Sequence, residues 1–445
     1  MSLLWKEQRI MIRKGTSALF WLLVVVVMLT SVFATGAQSV GPYVAFVNGS
    51  GQLVVTSGDG GYRWIVTNPG EYLNATLGYN WASDGRRLFY AVDAGTDISL
   101  RVADVSAQSA AEIGRVPPPV SGGQWTPDNR IVLSAGGQLV AYPAAGGSPA
   151  VIANAETVLR SPFDTSNERA HLPQASNVAP DGMFLFYGQP GANLIQPLGS
   201  APYTVAGGDP PGQYNGLWAD GAPLVAYTAM AGNSQLLVTN AATGTTLTLD
   251  SGRTAPINPL AWRPGTTQLI YRDATNTARI ADVVCLLSSC SDNPLQSGRE
   301  LLPASASDVQ TDGNWVYFVD GGGVQAVPLT CVDAGNCASS AIVLGQGVAP
   351  QSIMDVSGGT LAYTAGGGYG AGEVRTVDLT CLGNQPGCAP RTLATNAMNG
   401  TVAPGGQYVL VEGNGTLSAL RVSDGQLAYL TDSAGGLLAK ARWNG

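Results

Sequence analysis

A short anchor returns along this chain of 445 residues at a nearly constant interval, and it constrains the fold more than any other feature. It runs Trp81-Ala-Ser-Asp-Gly85, Trp125-Thr-Pro-Asp-Asn129, Val178-Ala-Pro-Asp-Gly182, Trp218-Ala-Asp-Gly221 and Trp262-Arg-Pro-Gly265. Weaker copies follow at Val309-Gln-Thr-Asp-Gly313, Ile353-Met-Asp-Val-Ser-Gly358 and Val402-Ala-Pro-Gly-Gly406. Successive anchors stand 40 to 53 residues apart. Each is followed by apolar runs bounded by Gly, Asp, Asn and Pro, the pattern of strands and turns. In the first full unit these runs are Arg87–Val92, Ser99–Asp104 and Ala111–Val116; after Trp262 they are Gln268–Arg272, Ala278–Val284 and Glu300–Leu302. No amphipathic segment of helical period stands out after residue 40. Several short strands repeated every 40–50 residues or so make a β-propeller.

The two ends complete one another. Ala441-Arg-Trp-Asn-Gly445 is an anchor with nothing after it, and Tyr43–Val47, Gln52–Ser57 and Arg63–Thr67 are three strands with no anchor before them. Together they predict one blade closed by the C-terminal strand, which removes the open sheet edges. The expected fold is all-β: a single propeller of four-stranded blades, nine by this count with eight as the alternative, preceded by one N-terminal apolar helix. The domain boundaries are 1–37 for a basic flank and apolar segment, 38–42 for a linker, and 43–445 for the propeller.

The anchors resemble those of TolB-type and WD-repeat-like propellers, whose blades carry a W-S-P-D-G signature, over roughly residues 43–445. That resemblance implies fold and little about function, because propellers host many activities. Within it, Asp-Gly makes a tight turn and the tryptophans pack between blades. Ser57-Gly-Asp-Gly-Gly-Tyr-Arg-Trp64 matches the Asp-box of sialidase-type propellers at Ser57, Asp59, Gly61 and Trp64. In those proteins the box is a folding turn remote from the active site.

Lys6, Arg9, Arg13 and Lys14 precede an apolar stretch from Ala18 to Phe33. Two readings stand: a secretory signal cleaved near Thr35-Gly-Ala37, or a retained membrane anchor, which the long basic flank and the four-valine run favour. Either puts the propeller outside the cytoplasm, periplasmic or extracellular. The six cysteines fall in three local pairs, Cys285/Cys290, Cys331/Cys337 and Cys381/Cys388, each bracketing the turn between the third and fourth strands of a blade. Three hairpin disulfides in an oxidising compartment are expected. Metal binding is the rival, weakened by uneven spacing and the lack of a nearby histidine. The net charge is −8, and Lys6, Arg9, Arg13 and Lys14 against Glu7 leave the remainder about −11. Such a body excludes nucleic acid as a partner.

Strand order places the blade-to-blade connections and second-to-third loops on one face, called top, and the third-to-fourth turns on the bottom. The chain enters the propeller at the bottom, so the top looks outward. Three top-face segments are candidate binding elements: the long connection 154–177 with Arg160, Asp164, Glu168, Arg169 and the sole histidine, His171; the segment 207–214 with Asp209 and Tyr214; and the glycine-rich turn 365–373 displaying Tyr369. No nucleophile elbow, phosphate loop, haem motif or HExxH occurs, so neither catalytic residues, a metal nor a cofactor is assigned. The preferred expectation is a non-catalytic scaffold, an accessory subunit or interaction platform bound to other envelope or membrane proteins. The alternative is a glycan-acting hydrolase or lyase, or a glycan-binding propeller.

Overall fold

The computed structural model describes residues 41–154, 159, 177–189, 192–205, 216–231, 233–253, 257–290, 298–349, 354–367, 372–383, 388–432 and 441–444. The apolar stretch 18–33 lies outside them, and no helix among the described residues is long and apolar enough to cross a membrane. The chain divides at Gly41/Pro42, and the unit Pro42–Gly445 is the propeller.

Nine antiparallel sheets form among the described residues, eight of four strands and one of three. Nine blades therefore stand, and the alternative of eight is set aside. Blade 1 comprises residues 43–65 with Arg442–Trp443 as its innermost strand. Blades 2 to 9 cover residues 79–116, 120–154, 184–205, 217–253, 259–302, 307–346, 355–395 and 397–432. In blade 4 the anchor makes only a bridge, Val178 to Leu185, in place of an inner strand. The core lies between blades, on the second and third strands. Leu53–Ser57 is buried throughout, whereas most of the outermost strand Ser109–Val116 is exposed.

Four of the anchor tryptophans do more than pack. Trp125 Nε1 donates to the Asn80 carbonyl (3.0 Å), Trp262 Nε1 to Leu217 (2.8 Å), Trp81 Nε1 to Arg442 (3.1 Å) and Trp443 Nε1 to Thr401 (3.0 Å). Every acceptor belongs to the innermost strand of the preceding blade, so these indoles act as inter-blade rungs at four seams of the ring. A buried indole N–H needs a partner, and this position supplies one.

Where the tryptophan is missing, polar side chains hold the same seam. The Asn177 amide donates to Gln124 Oε1 (3.0 Å), the Met354 amide to Asp308 Oδ2 (2.8 Å) and the Val402 amide to Asp355 Oδ2 (2.5 Å). Gln310 adds bonds to the Met354 carbonyl and, at 3.2 Å, from the Val356 amide.

The ring closes at two residues. Val44 pairs with Trp443 and Ala45 with Arg442. Asn444 then clasps the seam: its Oδ1 accepts from the Tyr43 amide (2.6 Å) and its Nδ2 donates to the Gly85 carbonyl (2.9 Å).

All three expected disulfides are present. Cys285–Cys290, Cys331–Cys337 and Cys381–Cys388 have Cα–Cα distances of 4.6, 4.7 and 5.2 Å. They mark a chain that folds in an oxidising, extracytoplasmic environment. The bridges lie, as expected, in the connections between the third and fourth strands of blades 6, 7 and 8, and those connections are partly helical. Short helical turns occupy Val284–Leu287, Cys331–Ala334, Cys337–Ser340 and Leu379–Cys381, and these hold Cys285, Cys331, Cys337 and Cys381. A turn this long has no ladder partner for its backbone, and local helical bonds satisfy it instead. Cys290 and Cys388 depart from that arrangement. Neither lies in a strand or a helical turn. Both are half-buried: Cys290 packs on the apolar cluster shared by blades 5 and 6, and Cys388 on that shared by blades 7 and 8. At these two positions the bridge fastens irregular chain to the seam between blades. In the Cys331–Cys337 bridge, by contrast, both cysteines belong to the buried core.

A second ring goes unannounced by the anchors. Tyr90, Tyr187, Tyr227, Tyr271, Tyr317 and Tyr363, all on second strands, are wholly buried. Burial pushes the phenols of Tyr187 and Tyr227 up to about 12.

Two outcomes are expected. Trp262→Phe removes one rung and leaves a buried carbonyl short of a donor, which should lower the unfolding free energy by about 1–3 kcal/mol, read from urea unfolding. Alkali should also destabilise the ring. Below pH 10 the phenols are neutral folded and unfolded, and their contribution is complete. Between pH 10 and about 12 the unfolded chain sheds protons that Tyr187 and Tyr227 keep, so the urea midpoint should fall across that window as tyrosinate absorbance appears.

Candidate functional site

The sequence-derived binding residues Arg160, Asp164, Glu168, Arg169, His171, Asp209, Tyr214 and Tyr369 all lie outside the described residues. The long connection is nonetheless described at two points, and both attach to the innermost strand of blade 3, Val120–Trp125. Leu159 is buried, and its amide donates to Ser121 Oγ (2.9 Å). A Cβ on Gly122 would stand 2.9 Å from Leu159 Cδ1, so glycine is required for this plug to seat. At the other end Asn177 exchanges hydrogen bonds with Gln124 and donates to the Phe186 carbonyl (2.8 Å). The buried role of Leu159 has no sequence signal beyond an apolar residue in a polar run.

On the same top face, between blades 7 and 8, an open cradle of about 400 Å³ is formed. Its walls are the turn Gly321-Gly322, the connection from Gln346 to Ala349, and Gly366-Gly367. The five glycines have φ between 32° and 77°. A Cβ at Gly321, Gly322, Gly347 or Gly366 would meet nothing within 4 Å. Glycine is thus needed for the left-handed backbone rather than for room, and it leaves the peptide groups bare to the cradle.

The walls are tied by backbone bonds. The Val348 amide donates to the Gly322 carbonyl (2.9 Å), Gly366 to Gly347 (2.6 Å) and Ala349 to Thr364 (2.9 Å). Among the described residues no charged side chain lines the cradle, and Gln346 contributes an amide. Tyr369 follows Gly367 by two residues in the chain. The volume falls within the range of small-molecule sites, about 300–1,000 Å³.

Carboxylates near this end of the blades are engaged elsewhere. Glu71 pairs with Arg101 (2.8 Å), Asp273 with Arg279 (2.5 Å) and Glu373 with Arg375 (2.7 Å). Each arginine sits directly across from a buried tyrosine: Arg101 from Tyr90, Arg279 from Tyr271, Arg375 from Tyr363. Burial acts to raise Asp273 and Glu71, but their arginines and other hydrogen bonds outweigh it and hold both below the usual carboxylate range. Arg375 holds Glu373 down as well. A general acid needs the opposite shift, so these three carboxylates serve as fixed ion pairs. Among the described residues no group of three or more His, Cys, Asp or Glu could hold a metal. The sulfurs of Cys285 and Cys290, Cys331 and Cys337, and Cys381 and Cys388 are bonded to one another and offer no thiolate.

The turn from Ser57 to Trp64 lies on the bottom face. Ser57 Oγ donates to Asp59 Oδ1 (2.5 Å), which also accepts from the Gly61 amide (3.0 Å), while Ser57 Oγ accepts from the Tyr62 amide (2.9 Å). Trp64 packs on the cluster shared by blades 1 and 2. The bond from Ser57, followed by that from Gly61, holds Asp59 below its usual range.

No family model matches the chain, and no curated protein matches it. Solved structures that resemble it include Porphyromonas gingivalis dipeptidyl peptidase 4, at 12% identity and TM-score 0.46, covering 89% of this chain and 59% of that one. An oligogalacturonate lyase in complex with manganese matches at 11% and 0.37, covering 89% and 86%. A puromycin-hydrolyzing peptidase from Mycobacterium tuberculosis matches at 14% and 0.37, covering 76% and 61%. The chain therefore spans about three fifths of these two peptidases. Against the expectation of a non-catalytic scaffold or accessory subunit of an envelope complex, the neighbours found are two peptidases and a lyase, and that expectation is set aside. At 11–14% identity and TM-scores below 0.5 the likeness concerns the fold and assigns no activity.

Proposed function

We propose that this protein is an extracytoplasmic propeller directed at carbohydrate, which it binds through the top face. The observation that carries this reading is the preformed cradle between blades 7 and 8. Sugars present many hydroxyls and little charge, so their recognition needs closely spaced donors and acceptors. The glycine peptide groups not spent on tying the walls, with the Gln346 amide, offer these among the described residues without a charged side chain. The described lining, glycine, Gln346, Val348 and Ala349, suits a neutral sugar better than a uronate or sialate, whose carboxylate calls for arginine.

The same reading gives the other top-face segments their parts. If the protein cleaves the glycan, the acid and base would come from Asp164, Glu168 or Asp209, and Tyr369, next to the cradle in sequence, would serve as a stacking platform. Two carboxyl groups about 5–10 Å apart would be required. The N-terminal apolar segment is proposed to be a retained anchor.

A glycan array probed with the full chain in mild detergent tests the proposal. Retention of a neutral oligosaccharide is expected, with Gln346→Ala weakening it about fivefold to tenfold, the cost of one polar contact. An array blank for every neutral glycan would sink the reading. Appearance of reducing ends, or of unsaturated product, would separate hydrolase and lyase from a binder.

A further inference from the structure

The described arginines that ion-pair do so mostly with a carboxylate on or near their own strand, as Arg87 does with Asp84 and Arg130 with Asp128. Arg442 is different. It is one of the two residues of the closing strand, opposite Ala45, and its carbonyl takes the indole N–H of Trp81. Protein encloses its side chain on most sides, yet part of it still meets solvent. Of its five N–H donors, one is used among the described residues: Nη1 donates to the Ala441 carbonyl (2.9 Å).

Among the described residues no carboxylate pairs with it. Its titratable neighbour there is Tyr79, whose hydroxyl donates to the Ala45 carbonyl (2.8 Å). Burial pushes that phenol well above its ordinary value, so it is neutral and offers the cation no counter-charge. The chain just before the closing strand, residues 433–440, contains no acid either and ends on Lys440.

Arginine does not escape the difficulty by losing its proton, since its guanidinium stays charged in proteins. A buried charge without a counter-charge is strongly unfavourable, and folded proteins pair it or surround it with acceptors. A planar fork with four donors to spare matches two oxygens of one oxyanion.

We propose that Arg442 is the centre of an anion site at the closure seam, taking a small oxyanion (carboxylate, sulfate or phosphate) that completes blade 1. Because the arginine lies on the two-residue strand that closes the ring, occupancy stabilises closure. The inference is independent of the carbohydrate reading and of the cradle, which lies between blades 7 and 8.

The test uses the full chain. Thermal unfolding is followed as sulfate, phosphate or acetate is raised through the low millimolar range against sodium chloride at matched ionic strength. The melting temperature of the native chain should climb with the logarithm of one oxyanion, as mass action requires, and the most effective ion names the chemistry. Arg442→Gln should be flat. Sulfate also stabilises proteins generally by exclusion from their surfaces, so an equal climb in R442Q overturns the proposal, as does no climb with any of the three ions. Should R442Q fail to fold, equilibrium dialysis of labelled sulfate and phosphate against the native chain decides: one ion per chain, displaced by the best competitor, supports the site. An adventitious ion only, bound without saturation, refutes it.

Discussion

Everything in this ring depends on how one blade grips the next at its innermost strand. A blade is a small twisted sheet with two apolar faces, and on its own it would expose both. Packing face to face solves that problem nine times over, but apolar packing is non-directional and leaves each sheet free to slide. The indole ladder removes that freedom. Trp81, Trp125, Trp262 and Trp443 each bury a large surface and aim one N–H at a carbonyl of the neighbouring inner strand. The same residue therefore supplies adhesion and register.

The ladder is not uniform, and its gaps are informative. Between blades 3 and 4, 7 and 8, and 8 and 9, side chains of Gln124, Asp308, Gln310 and Asp355 bond backbone groups of the next blade. These ties are more polar and reach along the inner strand rather than only across its lower end. At the seam of blades 7 and 8 the bond from Met354 to Asp308 lies near the start of the inner strand, close in sequence to the wall from Gln346 to Ala349. A seam held at that end can keep a backbone-lined cradle open without side chains to prop it. The cradle thus sits at one of the junctions that lack a tryptophan.

How much of this is legible in the sequence follows from what each residue's neighbours are. The anchors announce nine blades, and the isolated pieces at the two ends announce closure, because both are local patterns repeated at a fixed interval. The cysteine pairs are legible for the same reason, although the packing of Cys290 and Cys388 onto inter-blade clusters is not, since those clusters are shared with an adjoining blade. The direction of each indole bond is hidden too, since its acceptor is a backbone carbonyl roughly a whole blade away. So is the row from Tyr90 to Tyr363, whose burial depends on the blade beside it. In sequence the glycines of the cradle read as turn punctuation. Gly321, Gly347 and Gly366 are far apart in the chain and come together only across a seam. The eight polar and charged residues chosen from sequence share one property, placement on long top-face connections, and that criterion selects for chain length rather than for convergence.

Closure sets the remaining constraint. Eight blades draw their strands from one continuous stretch each, whereas blade 1 relies on a strand of two residues, Arg442–Trp443. Its ladder pairs with Val44 and Ala45 are too few to resist opening by themselves. What compensates is the density of links at that point: Trp443 to Thr401 of blade 9, Arg442 to Trp81 of blade 2, and Asn444 to Tyr43 and Gly85. Three consecutive residues thus connect three blades. The most conspicuous polar group among them, the guanidinium of Arg442, has no carboxylate partner among the described residues. A largely enclosed cation on a strand with only two ladder pairs is costly unless something answers its charge, and the strand that holds the ring shut is where such an answer would matter most.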